Sequence, residues 1–122
     1  MKPSEILNQS QLDELRKRND FINIFSIFSN WFQIFLFMYL YFLFPSTVLF
    51  IFSLIVIGSR QFALAVLMHE ASHNLLFKNR KLNDFISQWF CAYPIFSDTT
   101  PYRPYHLSHH RFTETKNDPD LS

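Results

Sequence analysis

The sequence predicts an all-α integral membrane fold: a transmembrane helical hairpin followed by a cytoplasmic interfacial helix and a histidine-bearing helix. Three observations predict it. Residues 21–44 carry no charge, and residues 47–68 carry only Arg60. All five histidines fall between His69 and His110, in the groups HEASH (69–73) and HLSHH (106–110). Between those groups, apolar residues recur at helical spacing over a stretch too short to cross a bilayer.

Residues 1–20 form a polar cytoplasmic segment, with an N-cap signature from Ser10 to Asp13 ahead of a short helix. Leu12 and Leu15 are its expected apolar contacts, and Arg16, Lys17 and Arg18 close it. Twenty mixed-charge residues before the first apolar run do not make a signal peptide. Phe21 to Phe44 is 24 residues, roughly 36 Å of helix against a hydrocarbon core of about 30 Å. Asn23, Ser26, Ser29, Asn30 and Gln33 gather in its first half, which suits contact with another helix or a start nearer the interface. The depth of Trp31 favours that second explanation, while Tyr39 and Tyr41 suit an aromatic belt at the far side.

Pro45-Ser46-Thr47 breaks this helix and opens the next, with Ser46 or Thr47 as N-cap. Residues 47–68 are again long enough to span. Arg60 is costly in lipid and is expected to face protein or an aqueous cavity. Gly58 lets a neighbour approach or softens the helix. Basic residues precede the first span and follow the second (Lys78, Arg80, Lys81), with none in the turn between. Both termini and both histidine groups are therefore expected on the cytoplasmic side.

Leu82, Phe85, Ile86, Trp89, Phe90 and Tyr93 form one apolar face, with Asn83, Asp84 and Gln88 opposite. That predicts an interfacial helix over about 82–93. Pro94, Pro101 and Pro104 should break the next segment into turns, with a helix resuming near Tyr105 and a polar tail after Thr113. Cys91 has no partner for an internal disulfide, and its aromatic neighbours suggest a buried or lipid-facing thiol. A formal charge of +1 argues against a nucleic-acid partner, and 122 residues make one domain at most, or part of one.

His69 and His73 stand at i and i+4, and His106, His109 and His110 at i, i+3 and i+4, so each group presents its imidazoles on one helical face. Alone, HExxH suits a zinc protease in which Glu70 activates a bound water. Three further imidazoles exceed what one tetrahedral zinc uses. The surplus points to more than one metal ion, and nitrogen-rich coordination suits iron.

With both groups taken together, the chain resembles the membrane fatty acid desaturases and the related integral-membrane hydroxylases. HEASHNLLF (69–77) matches their first histidine box, and PYRPYHLSHHRFTETKNDPDL (101–121) matches the second. The likeness covers roughly residues 47–121, within a partial desaturase domain over 21–121. It implies a site for two iron ions with His69, His73, His106, His109 and His110 as ligands. Glu70, Asp118 and Asp120 would be carboxylates that orient those imidazoles. It further implies dioxygen, an acyl-chain lipid substrate and an electron donor such as a b-type cytochrome or ferredoxin.

The family's third histidine box is not among these residues. The chain is accordingly expected to be the N-terminal portion of such an oxidoreductase, inactive and without a stable di-iron centre when alone. The alternatives are a non-catalytic membrane protein serving as a metal-binding or interaction module and, more distantly, the membrane zinc protease.

Overall fold

The computed structural model describes Asn8, Ser10, Gln11, Glu14 and residues 19–121, and among them there are helices and turns but no strand. Ser10, Gln11 and Glu14 are helical. The start of that helix is not at Ser10 as expected. The Asn8 amide donates to Gln11 Oε1 (3.0 Å), and the Gln11 amide donates to Asn8 Oδ1 (2.9 Å). This reciprocal capping box puts the N-cap at Asn8. The expected contacts of Leu12 and Leu15, and the basic triplet 16–18, lie outside the described residues.

Helix α1 (Asp20–Leu43) is capped by Asn19, whose side chain accepts from the Phe21 amide at 3.1 Å. Helix α2 (Thr47–Ser72) is capped by Ser46, which accepts from the Leu49 amide at 3.2 Å. Both are long and apolar enough to cross a membrane. They form an antiparallel hairpin in which Tyr41 packs on Phe50 and Phe37 on Phe52 near the turn, while Ile27 meets the Met68 cluster at the open end. Most of the large apolar side chains outside the contact face outward, Phe21 (84% exposed) and Val48 (80%) among them. In water such a surface would be untenable, and in lipid it is the expected one.

Helix α2 runs one turn past the expected end at residue 68 and stops in a Schellman motif. The Leu75 amide donates to the Glu70 carbonyl (3.0 Å) and the Asn74 amide to that of Ala71 (2.9 Å), with Asn74 left-handed at φ 58°. Asn tolerates that conformation better than most residues. His73 is thereby the C-cap residue rather than part of a regular turn.

The expected single helix over 82–93 is in fact three pieces. Helix α3 (Arg80–Ile86) leads into a π-helical turn (Ser87–Ala92) and a 3₁₀ turn (Tyr93–Ile95). Pro94 has no N–H to offer the Phe90 carbonyl, and the indole N–H of Trp31 donates to that carbonyl instead, at 3.0 Å. This bond accounts for the depth of Trp31 and ties α1 to the crossover segment.

The polar face of the crossover also differs from expectation. Asn83 is fully buried and completely satisfied. Its Oδ1 accepts from the Leu76 and Phe77 amides (3.1 and 3.2 Å), and its Nδ2 donates to the Ala71 carbonyl (3.0 Å) and Asp84 (3.0 Å). Phe85 and Trp89 are the exposed side. The segment turns its polar residues toward protein and its aromatics outward, as a helix lying against lipid should.

Helix α4 (Thr99–Phe112) begins six residues before the expected Tyr105 and includes both prolines. Asp98 caps it by accepting from the Thr100 amide at 2.7 Å. Pro101 falls in the first turn, where no backbone donor is needed, so only Pro104 removes a helical bond. The core, built from Ile27, Met68, Ala71, Leu76, Phe77, Cys91 and Ala92, lies at the open end of the hairpin. Cys91 is buried there.

Replacing Asn83 by Leu strands two buried amides, at a cost of about 2–4 kcal/mol. The variant should therefore melt at lower temperature than the parent in detergent micelles, and an unchanged melting temperature would remove Asn83 from this role.

Candidate metal centre

His69 occupies the last turn of α2 and His73 its C-cap, while His106 and His110 stand one turn apart on α4. The structure brings these four together, with one ligand atom from each lying within 4.8 Å of the others. Nε2 of His106 is 2.9 Å from Nε2 of His73 and 2.9 Å from Nε2 of His110. One ring nitrogen holds either a proton or a lone pair, so His106 cannot make a linear hydrogen bond to both. A cation among them resolves the conflict. At a metal–nitrogen distance of about 2.1 Å, two ligands at right angles stand about 3.0 Å apart. The donor set and its spacing fit a metal ion bound by imidazole.

His109 is not in that group. Its Nδ1 faces Asp118 Oδ1 at 2.8 Å and Asp120 Oδ2 at 3.0 Å, and its ring lies 5.9 Å from that of His110 and 6.4 Å from that of His106. The three residues form a second set that could hold a metal ion. With Nδ1 so engaged, the other nitrogen of His109 is left available. Asp118 is buried and also accepts from the amides of Glu114 (3.0 Å) and Asp120 (3.0 Å). The tail expected to be merely polar therefore closes back on α4 through a 3₁₀ turn (Pro119–Leu121). Glu70 Oε1 lies 3.4 Å from His69 Nδ1, a long contact on the side of the ring away from Nε2.

Protonation differs between the two sets. Burial, then the neighbouring His69, His110, His73 and His109, lower the His106 pKa to about 4. Burial likewise lowers that of His73, with His69 and His110 adding to it and Glu70 opposing. Both rings are kept neutral, the form that binds metal. The hydrogen bond with Asp118 raises the pKa of His109 and lowers that of Asp118.

What registers α2 against α4 is Arg103. Its Nε donates to the Ser72 carbonyl (3.1 Å) and its Nη2 to the Ala71 carbonyl (3.1 Å), and it pairs with Asp84. The guanidinium thus covers the carbonyl end of α2 between the two histidines of the first group. Tyr102 stacks on His106 with ring centres 5.1 Å apart and planes within 9°. Sequence reasoning missed both residues, because the flanking prolines made this stretch look like turns. Once Pro101 is allowed in a first helical turn, Arg103 falls at i−3 and Tyr102 at i−4 from His106, and that spacing was the available signal.

The profile of the family described as "Fatty acid desaturase" matches residues 45–122, more than half of the chain and all five histidines. The chain belongs to the fatty acid desaturase family. Dihydrorhizobitoxine desaturase of Bradyrhizobium elkanii is 35% identical over 71 residues, which are 57% of this chain and 20% of that protein. The chain thus spans about a fifth of the length of that relative. No solved structure matches it. In this member of the family the two boxes are juxtaposed by the Schellman turn, Asn83 and Arg103.

This geometry has two measurable consequences. In titrations of the detergent-solubilised chain with cobalt(II), His106→Ala should weaken binding more than tenfold, and Arg103→Met should weaken it by about tenfold through misplacement of the boxes. Affinity unchanged from that of the parent in both variants would dissociate the cluster from metal binding. Separately, unfolded His106 takes up a proton near pH 6.5, whereas the folded residue resists until about pH 4. Its contribution to stability is therefore present above pH 6.5 and lost as the pH falls through that window. The metal-free parent should lose more stability between those values than His106→Gln, as read by thermal melts.

Proposed function

We propose that this chain contributes the first two histidine boxes of a membrane oxidoreductase that uses dioxygen to introduce a double bond into an acyl chain. The observation that supports it most is the convergence of four imidazoles from two helices at the open end of a lipid-spanning hairpin. Two iron ions would be held with the help of His69, His73, His106, His109 and His110. Bound iron supplies oxidising chemistry toward an unactivated hydrocarbon that side chains lack.

The residues of this chain have their own tasks. Asp118 and Asp120 fix the His109 ring by accepting at Nδ1, and Glu70 leans on His69 at the same nitrogen. Metal-bound imidazoles are commonly oriented in this way. Residues 21–121 serve as one unit of the desaturase domain, with 1–20 leading into it. The basic residues flanking the hairpin argue for a cytoplasmic site. Dioxygen and an acyl-chain lipid are the co-substrates of this reading, and a b-type cytochrome or ferredoxin the electron donor.

A non-catalytic metal-binding or interaction module is the second reading, and the second group of possible metal ligands, His109 with Asp118 and Asp120, is the observation that favours it. The zinc protease fares worse. Glu70 sits behind His69, not beside its Nε2, and a base for metal-bound water belongs on the metal side.

The gene product purified from its own membranes tests these readings. Iron bound to it, together with dioxygen-dependent formation of a new double bond in membrane acyl chains, is the expected outcome. His106→Ala should lose the desaturation and retain at least tenfold less iron. Iron without any change in acyl chains would move the assignment to the binding module, and zinc-dependent cleavage of a membrane peptide would restore the protease.

A further inference from the structure

From mid-hairpin toward its open end, α1 and α2 line a groove of about 490 Å³ that begins at Ser59 and Arg60, passes Ser26, Asn30 and Ala63, and ends at Leu67, just short of the first histidine box. Two of its polar groups are left wanting. Asn30 is 8% exposed, and its Nδ2 donates to the Ser26 carbonyl at 2.8 Å, while its Oδ1 is buried with no partner. Arg60 bonds only its neighbour Ser59, whose Oγ accepts from Nε at 3.3 Å, and makes no ion pair among the described residues.

Arg60 cannot escape this depth. It lies twelve residues from Ser72 and thirteen from Thr47, about 18 and 20 Å of helix, farther than an arginine side chain reaches. The hairpin has no acid to offer it. Asp20 and Glu70, the only carboxylates of the two helices, stand at their ends, about 15 Å away along the axis. An unpaired guanidinium in hydrocarbon is costly, and such residues face a bundle interior and a partner.

We propose that this groove receives a further transmembrane helix carrying an Asp or Glu at mid-span, whose carboxylate pairs with Arg60. Ser26, Ser59 and Ala63 give a low wall, and Ser59 and Ala63 are spaced as small residues are where membrane helices approach closely. The guanidinium has five donors, enough for a bidentate carboxylate and for Asn30 Oδ1 as well. A second copy of this hairpin is disfavoured as occupant, because it brings another Arg60 and no mid-span acid. A phospholipid headgroup lies about 15 Å from the bilayer centre, out of reach of the Arg60 guanidinium.

The full chain, reconstituted in phosphatidylcholine vesicles, should bind a Leu-rich transmembrane peptide with one central Asp about tenfold more tightly than the same peptide with Leu there. Energy transfer between labelled partners reads the association. Arg60→Gln should abolish the preference, and Arg60→Glu should transfer it to a peptide with a central Arg, with helicity checked by circular dichroism. The comparison on the unaltered chain decides the proposal even where a variant fails to fold. Equal binding of the Asp and Leu peptides overturns it, as does a preference that survives in a helical Arg60→Gln. Displacement of the Asp peptide by oleate but not by methyl oleate would assign the groove to a lipid carboxylate and overturn the helix.

Discussion

The last carbonyls of a helix have no partner within the helix, and when buried they must find one elsewhere. At the end of α2 this requirement organises the whole membrane-surface layer. The Ala71 carbonyl takes the side-chain amide of Asn83 and the guanidinium of Arg103, and the Ser72 carbonyl takes the other edge of that guanidinium. Asn83 belongs to α3 and Arg103 to α4, so satisfying two carbonyls joins three helices. Because His73 follows those carbonyls directly and His106 lies three residues beyond Arg103, the same bonds set the distance between the histidine boxes. The Arg103 hydrogen bond also holds the Asp84 carboxyl below its ordinary range, keeping that pair charged.

Helix α1 contributes no ligand but anchors this layer from the other side. Asn23 donates to the Leu76 carbonyl at 2.6 Å, and Asp20 accepts from the Lys78 amide at 3.1 Å, pinning the segment between the first box and α3. Trp31 compensates for the proline of the crossover. Asp20, Asn23 and Trp31 therefore serve the adjoining loop and π turn, whereas Gln33 bonds back to Ser29 and Asn30 back to Ser26 within the helix, and Asn30 keeps an unmet oxygen at depth. Lipid cannot satisfy such groups, so each has to be answered by protein.

Within the site, the two histidine sets face opposite electrostatic conditions. Among the four convergent rings, burial and then the neighbouring imidazoles keep His73 and His106 neutral, the form that binds a cation. His109 instead leans on two carboxylates, one of them buried. Tyr105 donates to Asp120, which holds the second carboxylate in place. Two kinds of coordination environment arise from one five-residue motif because α4 presents i and i+4 to α2 while i+3 turns toward the returning tail.

The sequence by itself determined the hairpin, the positions of the histidine boxes and the family. These rest on signals that local chemistry enforces: uninterrupted apolar runs of spanning length, a proline break with a serine cap, and imidazoles at helical spacing. The tertiary structure alone decided that the crossover breaks into a π turn, that α4 starts at Thr99, and that His109 parts company with the other four rings. Each depends on a partner distant in the chain, such as Trp31 for the Phe90 carbonyl or Asp118 for His109. Periodicity cannot register a bond across 59 residues, nor can it tell a polar face turned to solvent from one that fastens two helices together. Asn83 read as part of a polar face and Arg103 went unread because most of their partners are backbone groups, which carry no side-chain signature in a sequence.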